Sequence, residues 1–364
     1  MCETVGRLVQ CIIGKREILR LDSGTIGILG DYLFESIGYD PARQKFLFGS
    51  AREGKVYLAG TDGKISEFVA TNAENGMWAV LDLAVDASRD KLYVASSDMA
   101  FFKGFKPDDF GQGAVFEFQL SSGKFLHKYP VKDSGRHILT NITVGKDGRV
   151  YVGDSIRRDI YRIDGEELKL LVENSKLTSL RGMTVSDDGK TLYLADYALG
   201  IFGIDLTKTE PFVLAHNPEK LVLGGIDGLY FYDGCLVIID GGMVPQRVMR
   251  LKLAADGRSI ESAMPLDVAQ PAFSAPTLGA IAGDELYFIA NSQKGLYDRY
   301  GVLKDPAKLE PTRIYKSNLR FAWDQSGIPT GVSDIAKRRV QELSKPADAK
   351  DKDASKDKDK DDKH

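Results

Sequence analysis

The chain has 364 residues, 49 basic against 52 acidic side chains for a formal net charge of −3, and 43% hydrophobic residues. That is enough apolar chain for one large core, and near-neutral charge without a basic, aromatic-interleaved stripe gives no footprint for nucleic acid. No run approaches the roughly 18 consecutive apolar residues of a membrane span, and Cys2, Cys11 and Cys235 have no metal-ligand spacing, so Cys235 reads as a small buried hydrophobe.

The opening residues, MCETVGRLVQCIIGKREILRL, make a poor secretion signal because the apolar run is short and charges flank it on both sides. As it stands the sequence reads as cytoplasmic, and as secreted or periplasmic if the true start lies upstream. Residues 1–30 contain one strand-like piece near residues 17–21, then Gly-rich turns; this strand is expected to close the last repeat described below.

From Glu35 onward the chain repeats one unit six times. The units are ESIGYDPARQKFLFGSAREGKVYLAG from Glu35, VLDLAVDASRDKLYVASS from Val80, LTNITVGKDGRVYVGDS from Leu139, LRGMTVSDDGKTLYLADY from Leu180, GGIDGLYFYDGCLVIIDG from Gly224 and PTLGAIAGDELYFIANS from Pro276. Each has an alternating apolar strand, a turn rich in Asp, Gly and Lys, and a second strand carrying Tyr, Val, Phe or Leu, which is a β-hairpin pattern. In most units a third strand follows, as in DIYRID and QRVMRLKL. Aligning the ends of the second strands pairs Ser50, Ser96, Asp154, Asp196, Asp240 and Asn291, a spacing close to the ~40–50 residues of a propeller blade. The expected fold is therefore all-β, a six-bladed β-propeller over residues 31–332.

Two insertions interrupt the repeats. Residues 101–113, FFKGFKPDDFGQG, suggest an ordered loop over one face, and KGLYDRYGVLKDPAKLEP separates the last hairpin from its third strand. Residues 333–343 are expected to form a short helix. Residues 344–364 carry seven lysines and seven aspartates with no large apolar residue, a composition that cannot offset the entropy of ordering, and are expected to be a disordered tail.

Side chains at the first positions of the innermost strands converge at one mouth of a propeller channel. The six-fold alignment puts Glu35, Leu81, Thr140, Arg181, Asp227 and Leu278 at equivalent places, with Asn141 one residue past Thr140. Two carboxylates, an arginine and a hydroxyl facing one pocket make a ligand site for a small molecule. His137, just before the third unit, is a candidate base at the same mouth, and Trp78, before the second, a candidate stacking wall. Asp154, Asp196 and Asp240 recur at one position and read as turn residues. There is no phosphate loop, zinc helix motif or nucleophile elbow, and no feature points to a protein partner.

FESIGYD, NITVGKDGRVYVGDS, RGMTVSDDGKTLYLADY and GIDGLY resemble the senescence marker protein/gluconolactonase superfamily of six-bladed propellers, which includes strictosidine synthase-like relatives, over about residues 30 to 318. The resemblance implies a lactonase or related ester hydrolase, with Asp227 and Glu35 as catalytic carboxylates. It also implies a divalent cation, calcium in many members, held here by Glu35, Asn141 and Asp227. Arg181 departs from the family pattern, because it stands where an asparagine ligand is expected and a guanidinium has no lone pair to give. Three readings follow: a metal-assisted hydrolase with Arg181 turned away from the cation; a metal-free pocket in which Arg181, with Thr140, His137 and Trp78 around it, binds an anionic ligand; and an ion-pair network of Glu35, Arg181 and Asp227 that plugs the channel.

Overall fold

The structure, a computed structural model, describes residues 18–21, 25–28, 30–60, 64–173, 176–217 and 221–321. Among these are twenty-five strands, numbered β1 to β25 in chain order. They form six antiparallel sheets around a central channel, a six-bladed propeller. The innermost strands are β3 (Phe34–Asp40), β7 (Ala79–Asp86), β11 (Leu139–Val144), β15 (Leu180–Val185), β19 (Ile226–Tyr232) and β23 (Gly279–Ala282). Each pairs with the next strand in sequence: β4 (Lys45–Ser50), β8 (Lys91–Ser97), β12 (Val150–Asp154), β16 (Thr191–Asp196), β20 (Cys235–Asp240) and β24 (Glu285–Ile289).

The strands are apolar on both faces because each blade is sandwiched between two others. In β8, Leu92 and Val94 enter the cluster shared with blade 1, while Tyr93 and Ala95 enter the cluster shared with blade 3. The two-residue period of a strand thus becomes alternate service to two cores. The same alternation gives one cluster per blade interface, six around the ring. A fully buried Phe116 or Leu192 contributes on the order of 1.5–3 kcal/mol to such an interface.

Turn chemistry fixes the hairpins. Asp233 and Gly234 both take positive φ, at 47° and 71°, between the paired Tyr232 and Cys235. This is the two-residue turn whose twist matches that of its strands. Cys235 itself is half-buried rather than wholly inside.

The sixth sheet has five strands, in the order β23, β24, β25 (Thr312–Asn318), β2 (Thr25–Ile28) and β1 (Ile18–Leu21). Ile26 pairs with Ile314, so the N-terminal strands complete the last blade. The expected helix at 333–343 and the tail at 344–364 lie outside the described residues. No helix among the described residues is long and apolar enough to cross a membrane.

Candidate functional site

The mouth where the inner strands begin is shaped by a repeated irregularity. In blade 1 Phe34 pairs with Ser50 and Ser36 with Gly49, leaving Glu35 as an extra residue. The same slip leaves Leu81, Thr140, Arg181 and Asp227 unpaired in the next four blades. In blade 6 Thr277 N donates to Ile289 O at 2.9 Å, and Ile289 N donates to Leu278 O at 3.2 Å, so two residues again face one. A β-bulge re-aims the side chain it frees, and here six bulges form the rim of one cavity of about 300 Å³.

Below the bulges, side chains stitch neighbouring inner strands together. Asp82 Oδ2 accepts from Ile142 N at 2.9 Å, and Asn141 Nδ2 donates to Arg181 O at 2.7 Å. Thr184 Oγ1 accepts from Phe231 N at 3.1 Å, and the Tyr230 hydroxyl accepts from Gly279 N. Posts at the ends of the second strands hold the incoming chain. Asp154 takes the amides of Ile138, Ile156 and Arg157, and Asp196 those of Thr178, Ser179, Ala198 and Leu199. Asp240 receives Met243 N and the Arg247 guanidinium. The recurring aspartates serve their turns.

Glu35, Thr140, Asn141, Arg181 and Asp227 all line this cavity. Ser292 Oγ donates to Glu35 Oε1 at 2.7 Å. Asp227 accepts no hydrogen bond among the described residues, and burial pushes its carboxyl up to about 6, with Arg181 opposing and Glu35 and Asp240 adding to the rise. Gly241 seats it: a Cβ there would lie 2.4 Å from Pro276 O and 2.7 Å from Asp227 Oδ2.

Arg181 does not form the plug that the third of the three readings describes. Its Nε donates to Ser179 Oγ at 3.1 Å and its guanidinium lies over the Tyr197 ring at 5.3 Å. Among the described residues no ion pair joins it to Glu35 or Asp227. The reason is geometric, since the bulge turns Arg181 outward to the rim, where an aromatic face and a hydroxyl receive it.

His137 and Trp78 are corrected in place. Both line a different cavity of about 380 Å³, farther from the channel and bordered by residues 108–113 and 128–137. His137 is buried, with Nδ1 2.7 Å from Asp154 Oδ2 and Nε2 2.7 Å from Asp133 Oδ1, so both ring nitrogens are committed. Trp78 packs edge-on against Phe116 and carries Lys128 Nζ 4.3 Å above its ring. They precede inner strands in sequence, yet the chain reaches those strands from the outer edge of the blade.

The cavity lining also includes residues that were not anticipated, among them Lys294, Met99, Ile138 and Ser155. Lys294 sits in the blade 6 insertion and Met99 in the connection that leads from β8 into the blade 2 insertion, where no repeat alignment reaches. The two insertions meet over the mouth, tied by Arg52, whose guanidinium donates to Phe101 O at 2.8 Å and Gly301 O at 2.9 Å and pairs with Asp31 at 3.0 Å.

The donor set is a poor match for calcium, which takes about six to eight oxygen ligands. The cavity offers two carboxylates, and two cations, Arg181 and Lys294, border it. The Asn141 carboxamide is spent on Arg181 O and on the Thr140 hydroxyl, which donates to Asn141 Oδ1 at 3.2 Å. Among the described residues no group of three or more His, Cys, Asp or Glu side chains is placed to hold a metal. What the arrangement can do is receive an anion at its cations and move a proton at Asp227.

No family model matches the sequence, and no curated protein sequence matches it. Solved structures do resemble the fold. A luciferin-regenerating enzyme superposes with a TM-score of 0.53 at 16% identity, covering 80% of this chain and 92% of its own. A gluconolactonase from Xanthomonas campestris gives 0.51 at 14%, covering 80% and 90%. Virginiamycin B lyase from Staphylococcus aureus gives 0.51 at 15%, covering 75% and 81%. At these identities the likeness carries the fold: the chain is a six-bladed β-propeller similar to those of lactonase and lyase enzymes.

Proposed function

We propose that this protein hydrolyses a small anionic lactone or ester at the cavity rimmed by the bulges. The observation that carries the reading is Asp227, a carboxyl pushed up to about 6 in a cavity bordered by Arg181 and Lys294. A carboxylate with that proton affinity is ionised at neutral pH yet basic enough to take a proton from water. In the step we assign, a water oxygen attacks the acyl carbon while Asp227 removes its proton. The tetrahedral oxyanion is stabilised by the cationic rim. Collapse breaks the acyl C–O bond, and Asp227 returns the proton to the departing oxygen, giving one carboxylic acid and one hydroxyl. Glu35, oriented by Ser292, adds to the rise at Asp227 and so supports its basicity.

A gluconolactonase shares the fold, which supports the reaction class without fixing the substrate. The test is a panel of lactones and esters followed by pH-stat, on protein stripped with chelator and on protein given calcium. We expect turnover that rises with an apparent pKa near 6, is lost in Asp227→Asn and does not depend on calcium. Binding of anions with no turnover of any panel member would replace hydrolysis with a binding role, and turnover restored only by calcium would refute the metal-independent mechanism.

A further inference from the structure

The wall of this cavity is divided by chemistry. Around the ring, Glu35, Arg181 and Asp227 come from blades 1, 4 and 5, and Lys294 from the insertion that follows the second strand of blade 6. The remaining sector, at blades 2 and 3, carries an apolar strip: Leu81 from its bulge, Met99 from the chain leaving β8, and Ile138 from the chain entering β11. Blade 3 also brings Thr140, Asn141 and Ser155 to the wall, with the Thr140 hydroxyl donating to Asn141 Oδ1, Asn141 Nδ2 to Arg181 O and the Ser155 hydroxyl to Ile138 O. Leu81, Met99 and Ile138 are the cavity-facing edge of an apolar cluster that includes Phe101, Phe102 and Tyr297. The Lys294 ammonium lies 5.6 Å from the Phe101 ring, at the seam between the two sectors.

We infer that the ligand of this site is an amphipathic carboxylate or its ester, with an aryl or alkyl body against Leu81, Met99 and Ile138 and an anionic group at Lys294 and Arg181. This rests on the reading above that the cavity is the ligand site, and it names the class of molecule that reading left open. A polyhydroxylated sugar acid does not suit such a wall. Each hydroxyl turned to the apolar strip gives up water and finds no partner, which costs about tenfold in affinity. An apolar body gains there what a sugar loses, and the charge at the seam fixes its direction. The cavity, about 300 Å³, suits a small ligand of this kind.

The experiment is calorimetric titration of the full chain with three probes: 4-phenylbutyrate, the uncharged 4-phenyl-1-butanol and gluconate. Wild type is compared with Met99→Gln and Lys294→Gln, both at cavity-edge side chains, with thermal melts verifying that each variant folds. We expect phenylbutyrate to bind at least about tenfold more tightly than either comparator. Met99→Gln should weaken it about threefold to tenfold and Lys294→Gln about tenfold. Gluconate binding as tightly as phenylbutyrate, no binding of phenylbutyrate, or its unchanged affinity in both variants would each overturn the inference. If phenylbutyrate binds as expected but no phenylbutyrate ester or lactone is turned over, the hydrolase reading fails and the assignment of ligand class stands.

Discussion

The channel holds two aspartates with a raised proton affinity, Asp82 buried and Asp227 half-buried, and the contrast between them separates function from architecture. Asp82 lines the cavity below the bulges, among Ile37, Leu83, Val85 and Met183. Burial pushes its carboxyl up to about 7, but Oδ1 takes Leu83 N at 2.8 Å and Oδ2 takes Ile142 N at 2.9 Å. Asp227 has a smaller rise and no hydrogen bond among the described residues, and it faces a cavity with two cations at its border. A carboxylate tied to main-chain amides on both oxygens is a rivet. One left unsatisfied in a cavity is available to a ligand. A raised pKa alone does not distinguish them; the partners do.

Substitution separates the pair most sharply. Asp227→Asn should lower kcat/KM by about 10²–10⁴-fold while leaving the urea midpoint unchanged or raised, since a partly desolvated charge is removed without orphaning a donor. Asp82→Leu should do the reverse. It leaves two buried amides without acceptors, costing about 2–4 kcal/mol in denaturant unfolding, with kcat/KM of the folded fraction within about threefold. Equal losses of activity in both variants would erase the distinction.

Gly241→Ala tests the seat of Asp227. The added methyl meets the backbone oxygen of Pro276, which cannot swing away as a side chain would, so we expect about 1–3 kcal/mol of destabilisation. Activity should fall about tenfold, because displacement of a reacting group by an ångström is costly. His137→Ala extends the comparison outside the channel. It should cost about 1–2 kcal/mol through the lost ties to Asp154 and Asp133 and leave kcat/KM within about twofold.

The smallest effect is a pH slope. Both aspartates bind their proton more tightly folded than unfolded, where the ordinary value is 3.8. Between about pH 4 and pH 7 the native state holds protons the unfolded chain has released, so their contribution to stability falls as pH rises and is level above. Urea midpoints measured at pH 5 and pH 8 should therefore differ less in Asp82→Asn than in wild type. Asp227→Asn should narrow the difference less, because its shift is smaller. A larger difference in either variant would reverse the sign assigned here.

Much of this arrangement was legible in the sequence because the hairpins repeat. Aligning second-strand ends was enough to put Glu35, Leu81, Thr140, Arg181 and Asp227 at equivalent positions, and those five are the residues freed by bulges. The alignment found where they stand but not how each side chain is re-aimed, since a bulge leaves the hydrophobic alternation on either side intact. Arg181 shows the limit: its position was readable, whereas its contacts with Ser179 and Tyr197 depend on a neighbouring strand end. Lys294 belongs to an insertion and Met99 to the connection leading into one, with no counterpart in other blades, so no internal comparison could bring them to the mouth. His137 and Trp78 were drawn to the channel by proximity in sequence to inner strands, and the route of the chain over the blade edge put them elsewhere.

The strand that joins the last blade from the start of the chain governs time as well as shape. While β2 is unpaired, β25 presents an open edge and the ring is a stack with two free ends. Pairing of Ile26 with Ile314 closes a loop spanning nearly the whole propeller, and contacts so distant in sequence form late and slowly. Once made, they latch the ring: blade 1 meets blade 6 through Ile28, Ile289 and Ile314 on one side and Phe34 and Phe48 on the other. Interactions completed after the folding barrier slow unfolding more than they speed folding. The latch therefore lengthens the lifetime of the closed ring, and with it the persistence of a mouth whose six walls come from six different blades.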